Sequence, residues 1–497
     1  MSGNHYDIFI IGGGINGAGV ARDASGRGYK VALVEQKDFA SATSSASTKL
    51  IHGGLRYLEQ YAFKMVREAL IERDVLWRIA PHLVQPIRFI LPSNNKQHPN
   101  WMVRAGLFLY DHLGGTHNFP KAVSVSFAAT ADNPLQNKYR KGFEYSDAAV
   151  DDSRLVIANL RDAHENGATI LPRMELIEAR AINKKWVLTV RNTQTGAIIT
   201  YSASYLVNMA GPWLGKIWDE VLKFSDPAPL RLIKGSHIVT RALYPHKSAY
   251  LLQNEDGRVI LMRPYQKDFT LIGTTDIEYD GDLGKISITQ EEIDYLINAV
   301  GKYFSKPITR QDIVSTYAGV RPLFNNNKQN AQSVTRDYLL KERIEAGGAP
   351  LLTAFGGKIT VYRKLAEDAM TYIEKSLGPR EKGAWTASKN LPGGAFDYRH
   401  FDALVKKVAD FLPFLTTRTH ERLALAYGSD VFKIFSGKKE TLGKHFGHEL
   451  YAEEVDWLKN FEWAKTAEDV LWRRTKLGLL FTPAESQELE SFLVDCG

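Results

Sequence analysis

The sequence predicts an α/β plus α+β protein: a Rossmann-like nucleotide-binding domain, an antiparallel sheet inserted into it, and a helical cap domain at the C-terminus. Three observations carry this. A glycine turn follows a β-branched run at residues 8–17. Four strand patterns separated by turn residues crowd into residues 231–275. Beyond Leu391-Pro392-Gly393-Gly394 the apolar residues fall at helical spacing.

The first element is the short apolar run Ile8–Ile11, suited to a buried parallel strand. Gly12, Gly14 and Gly17 follow at G-x-G-x-x-G spacing, with Asn16 among them. The first glycine allows the tight turn, the second lets backbone approach a phosphate, and the third lets helix and strand pack closely. Ile15–Arg27 then reads as a helix whose N-terminal amides and dipole favour a pyrophosphate, Gly28 stops it, and Lys30–Val34 is the second strand. Glu35, 23 positions after Gly12, stands where a carboxylate hydrogen-bonds a ribose, which disfavours a phosphorylated ribose.

The glycine turn does not choose between NAD and FAD. The polar stretch Ser41–Lys49 that follows does, because it replaces the compact strand–helix continuation of a nicotinamide domain. Thr43, Ser44, Ser47 and Lys49, with His52-Gly53-Gly54 beyond, suit an extended FAD laid across the sheet. Taken alone, the stretch also fits a serine-rich surface loop.

Leu58–Ala80 reads as an amphipathic helix with Phe63, Val66 and Leu70 on one face, ended by Pro81. Residues 87–91 are a strand, and Asn100–Leu113 a helix closed by Gly114-Gly115. Asp151 or Asp152 caps a helix reaching about Glu165, before a strand at Ala168–Leu171. Trp186–Arg191 and Tyr205–Val207 are strands, the second leading into the small residues Ala210-Gly211, where backbone can approach a cofactor. Arg231–Thr240, Ala249–Gln253, Arg258–Tyr265 and Asp268–Thr274 form the inserted sheet. Ala318–Pro322 and Phe355–Thr360 are glycine-bearing junctions returning to the nucleotide domain, placed at about 6–60, 150–213 and 318–377.

With 497 residues, 44% of them hydrophobic, the chain can bury a large core in two or three domains. The single cysteine, Cys496, excludes an intramolecular disulfide scaffold and fits a reducing compartment. No signal peptide and no apolar stretch of bilayer-spanning length is expected. Net charge is +7, and residues 76–142 hold eight Lys and Arg against two Asp, together with Trp77, Trp101, Phe108, Tyr110 and Phe119. That mixture suits an anionic membrane surface, or equally a solvated face over core aromatics. No nucleic-acid recognition motif accompanies the charge.

The chain resembles the FAD-dependent aerobic glycerol-3-phosphate dehydrogenases of bacteria over nearly its whole length. The resemblance is carried by Ser47–Tyr57, Ile233–His237, Gly273–Asp276, Gly319–Pro322 and Phe355–Lys358. Met209 and Thr48 depart slightly from the family pattern. The resemblance implies a D-amino-acid-oxidase-like fold and peripheral attachment to the cytoplasmic side of the inner or plasma membrane. It also implies oxidation of glycerol 3-phosphate to dihydroxyacetone phosphate with electrons passed to a quinone. It allows a homodimer, and no calcium loop or other metal site is expected.

That reaction sets three tasks. For the phosphate, Arg56 and Arg321 are first choices because a guanidinium binds phosphate bidentately; Tyr57 adds a donor and Arg336 is a third candidate. For the hydroxyl proton, His237 and His52 compete, His237 preferred because it lies in the inserted sheet. For the reduced flavin, Lys358 can supply a cation, or reach the phosphate instead. Gly356, Gly357, Ile359 and Thr360 beside it open a helix toward the cofactor. A dioxygen-using oxidase of the same fold is the alternative.

Overall fold

The computed structural model describes residues 4–93, 99–115, 118–127, 133–325, 337–345 and 347–495. His5–Ile11 is flanked in parallel by Val31–Glu35 and Ile198–Asn208, and the parallel order extends through Thr169–Pro172 on one side and Pro350–Phe355 on the other. The first helix, Ile15–Arg27, has the predicted bounds because Gly28, at φ 101°, adopts the left-handed conformation that ends it. Against it pack the helices Asp152–Glu165 and Tyr362–Leu377. Asp151 caps the former, its side chain accepting from the Arg154 N–H.

The second sheet is larger than the sequence implies. To the four expected strands it adds Leu50–Ile51, Val84–Pro92, Val123–Ser126, Lys141–Val150, Ile277–Glu278 and Ile313–Phe324. Ile313–Phe324 was expected to hold only a junction at its glycine. It is instead a strand paired with Leu230–Arg241 from Leu230↔Phe324 to Thr240↔Ile313, and His237 lies directly opposite Tyr317. It forms an edge, so Pro322 withholds no N–H from a neighbour on its far side.

The helix expected over Leu58–Ala80 starts later. Leu55–Gln60 is a 3₁₀ turn, Tyr61 at φ 55° breaks the path, and the α-helix runs Phe63–Ile79. Phe63 is therefore not on the buried face with Val66 and Leu70; it is 40% exposed.

The C-terminal helices Phe401–Phe411, Thr417–Tyr427, Ala452–Glu462 and Pro483–Asp495 enclose their own core around Val408, Leu423, Val455 and Leu458. Buried ion pairs join this cap to the nucleotide domain: Arg154 and Arg161 reach Glu462 and Asp430, Arg173 reaches Asp469 at 2.5 Å, and Asp38 accepts from Arg473 at 2.5 Å and Arg474 at 2.7 Å. Such pairs add little net stability, because desolvation offsets their attraction, but losing one partner costs about 3–5 kcal/mol.

Candidate active site

A cavity of about 400 Å³ runs between the two sheets. Its nucleotide end is built by the glycine turn. Gly12 sits at φ 107°, and a Cβ there would meet the Met209 carbonyl oxygen at 2.5 Å; at Gly17 it would meet the Gly12 carbonyl oxygen at 2.0 Å. Both positions therefore require glycine, for the turn and for helix–strand packing. Gly14, the N-cap, brings no side chain to the helix amides, and Ser44 Oγ accepts from the Ile15 N–H at 3.0 Å.

Glu35 accepts from the Gly13 N–H at 2.8 Å and the Lys37 N–H at 2.9 Å. Enclosure pushes its carboxyl up and the two amides oppose that. A carboxylate offers about four lone-pair sites, so capacity remains for ribose hydroxyls.

The Ser41–Lys49 stretch crosses from one sheet to the other. Thr43 donates to the Val320 carbonyl at 2.6 Å, and a Cβ on Gly319 would meet that of Ala46 at 2.8 Å. The loop is thereby fixed against strand Ile313–Phe324, which also carries Arg321.

At the far end the cations gather. Arg321 Nη2 donates to Asp276 Oδ1 at 2.6 Å and to the Thr275 carbonyl at 3.2 Å. Arg56 and Tyr57 project from the 3₁₀ turn Leu55–Gln60, and Lys358 Nζ lies 3.9 Å from the centre of the Tyr57 ring. His52 lies on the wall, its N–H donating to Thr360 Oγ1 at 3.3 Å. His237 stacks on Tyr317 at 4.8 Å, and its Nε2 shares a hydrogen bond with Thr48 Oγ1 at 3.0 Å. Burial, then the charges of Lys49 and Arg321, push the imidazole down to about 3, so it is neutral at ordinary pH.

The cavity wall brings together Gly12, Gly14, Asn16, Glu35, Thr43, Ser44, Ser47, Gly54, Ala210, Gly211, Gly356, Gly357, Ile359 and Thr360 with Arg56, Tyr57, Arg321, Lys358 and both histidines. Three expected cofactor contacts stand behind it. Gly17 packs helix on strand, and Gly53 donates its N–H to Tyr110 at 2.9 Å. Lys49 turns its ammonium inward to Asp152 at 2.9 Å and the Ser45 carbonyl at 2.7 Å, where its charge has a buried partner. Arg336 falls outside the described residues.

Asp276 and Thr48 received no role from sequence, although both stand in the motifs Gly273–Asp276 and Ser47–Tyr57. Thr48 is the sharper case, since one of the two departures from the family pattern proves to be the hydrogen-bond partner of His237. It keeps the hydroxyl that bond needs.

Residues 7–363 match the model for "FAD dependent oxidoreductase", and residues 384–492 that for "C-terminal domain of alpha-glycerophosphate oxidase". The chain belongs to the FAD-dependent oxidoreductase family. Its cofactor is FAD, and the residues present fit that group: a glycine turn for the diphosphate, Glu35 for the ribose, and a cavity long enough to continue past both.

A glycerol-3-phosphate dehydrogenase of Pseudomonas aeruginosa is 46% identical to this flavoprotein over 98% of the chain and 95% of its own length. A D-erythritol 1-phosphate dehydrogenase of Brucella abortus is 47% identical over 96% of each. Among solved structures, the glycerol-3-phosphate dehydrogenase from Bacillus halodurans complexed with FAD aligns with TM-score 0.74 at 27% identity, covering 100% of this chain and 95% of that one.

Proposed function

We propose that this flavoprotein oxidises sn-glycerol 3-phosphate to dihydroxyacetone phosphate. The observation that carries the reading is the gathering of Arg56, Arg321, Lys358 and Tyr57 beside a neutral His237, at the end of the FAD cavity remote from Glu35. A phosphoester needs cationic donors, a secondary alcohol needs a base, and both are within one wall.

Arg321 and Arg56 hold the phosphate as guanidinium forks, with Tyr57 as a further donor. Asp276, already bonded to Arg321, fixes the orientation of that fork. His237 takes the C2 hydroxyl proton, Thr48 setting the ring's orientation, with His52 as the competing base. Arg321 also depresses His237, so a dianion bound on Arg321 offsets that charge and strengthens the base. Lys358 and the turn it opens stabilise negative charge at the ring end of the cofactor. When bound, FAD supplies the two-electron acceptor for the hydride leaving C2.

We infer further that the electrons pass to a quinone at an anionic membrane surface, on the cytoplasmic face. One surface feature supports this. The exposed side chains Tyr61, Phe63, Trp101 and Phe108 lie just past the cavity-lining turn Leu55–Gln60 and on the two helices packed against it. No helix of the described residues is long and apolar enough to cross a membrane. Trp77, Tyr110 and Phe119, counted with that segment in sequence, are buried and take no part.

The test is direct. Anaerobic glycerol 3-phosphate should bleach the flavin absorbance and a short-chain quinone should restore it. Restoration by dioxygen with stoichiometric hydrogen peroxide would favour the oxidase alternative. D-erythritol 1-phosphate, the substrate named for the Brucella relative, is the competitor to include. Faster bleaching by it would reject the three-carbon substrate.

A further inference from the structure

The Ser45–Lys49 turn makes a second set of contacts, facing away from the cofactor cavity. Lys49 has φ 58°, is 3% exposed, and binds both carboxylate oxygens of Asp152, at 2.9 and 3.0 Å. Ser47 Oγ donates to the same carboxylate at 2.7 Å and accepts from the Lys49 N–H at 2.8 Å. Asp152 opens the helix Asp152–Glu165, where the dipole also favours its charge. The cap closes the cluster: Lys476 Nζ lies 3.3 Å from Asp151 and donates to the Trp472 carbonyl at 3.0 Å and to Ser153 Oγ.

Between the two anchored residues sits Thr48, whose hydroxyl meets His237 Nε2. The same turn is held from the opposite side, because Tyr317 donates its hydroxyl to the Ser47 carbonyl at 2.8 Å while its ring stacks on His237. Arg263 donates to the Lys49 carbonyl. The groups that hold the turn, Asp152, Tyr317 and Arg263, thus all stand outside the cofactor cavity.

We propose that the buried Lys49–Asp152 pair, locked by Lys476 of the cap, is a positioning device for the reaction, setting Thr48 and through it His237. This rests on the reading of His237 as the proton acceptor. Lys49 and Asp152 touch neither the cavity nor a substrate within it, and they act by holding the turn. Lys49 acts a second way, as a fixed positive charge near His237. The groups facing His237 are Thr48 and Lys49 from the turn, with Tyr317 and Arg321 from strand Ile313–Phe324. Tyr317 in turn faces Tyr265, Asp152 and Arg263.

The experiment uses the flavin-loaded full-length enzyme and stopped-flow reduction by glycerol 3-phosphate. Lys49→Met with Asp152→Asn removes both charges and keeps the volumes similar. The flavin should remain bound and KM should hold, while the reduction rate falls about 100-fold, the scale of a displaced catalytic group. The acid limb of the rate profile should move to higher pH, because Lys49 holds the imidazole down whereas Asp152 is not among the charges that act on it. In a Thr48→Val background the same pair should add little further loss of rate, since positioning runs through that one contact, and only the pH shift should remain.

Tyr317→Phe, which keeps the stack and removes only the bond to the Ser47 carbonyl, is the fold-safe companion. It should slow reduction without raising KM. Unchanged rates in both variants overturn the proposal. So does a pH-independent loss fully additive with Thr48→Val, the mark of a merely structural pair. Failure of the unmutated enzyme to bleach with glycerol 3-phosphate would instead reject the substrate assignment.

Discussion

Arg321→Ala gives the sharpest measure of the phosphate site. In the structure Arg321 is committed to Asp276 through a 2.6 Å bond, so its removal does two things. It takes away a phosphate donor, and one net hydrogen bond to a charged group is worth about 1.5–3 kcal/mol. It also takes the Arg321 cation from beside the Asp276 carboxylate, which then repels an incoming dianion more strongly. The first effect alone predicts a KM rise of about 10- to 150-fold at 1.4 kcal/mol per decade. The second pushes the result toward the upper end. Arg321→Ala with Asp276→Asn should then recover about tenfold of the loss, because only repulsion is relieved. The assay is steady-state oxidation with an artificial acceptor, with flavin content measured in parallel. An unchanged KM with full flavin would refute a phosphate role for Arg321. Additive effects of the two substitutions would refute the repulsion argument.

Gly12→Ala should yield colourless protein, since a left-handed backbone strained by roughly 1–3 kcal/mol also meets a fixed carbonyl; yellow protein from gentle purification would contradict the turn's role. His237→Gln should slow single-turnover flavin reduction far more than it changes affinity, and a loss confined to His52→Gln would transfer the proton to that residue. Glu462→Gln should destabilise the fold by about 3–5 kcal/mol, seen as a lower thermal midpoint, because Arg154 loses its buried partner while Arg161 keeps only Asp430. Burial opposes ionisation of Glu462 and Asp469, yet neighbouring arginines hold both below the usual carboxylate range. Their contribution is therefore complete above the unfolded carboxylate pKa of about 4 and lost as pH falls beneath it, which melting curves taken at decreasing pH will report. Trp101→Ser with Phe108→Ser should reduce binding to anionic vesicles in a flotation assay while leaving reduction in solution intact; undiminished flotation would place the docking face elsewhere.

The parts legible in sequence were those set by local chemistry. The turn at Gly12, the end of the helix at Gly28 and the cap at Asp151 each depend on one or two residues and their immediate neighbours. Strand Ile313–Phe324 escaped because Gly319 and Pro322 argue against a strand interior, and only an edge position reconciles them. The break at Tyr61 carries no signal, since a tyrosine rarely adopts a left-handed conformation. Lys49 shows a different limit. Its place in the motif was visible, but the direction of its side chain depends on Asp152, 103 positions away. The aromatics of residues 76–142 could not be sorted by composition, because Trp101 and Trp77 differ only in which helix face the tertiary packing leaves open.

Asp38 lies three positions after Glu35 and is gripped by Arg473 and Arg474, more than 430 residues later in the chain. The loop that follows Glu35 along the cofactor cavity is therefore held in place by a segment of the cap domain. Replacing Arg473 and Arg474 together should loosen the cofactor even though neither residue lines its cavity, making flavin retention a sensitive gauge of how firmly the cap is seated.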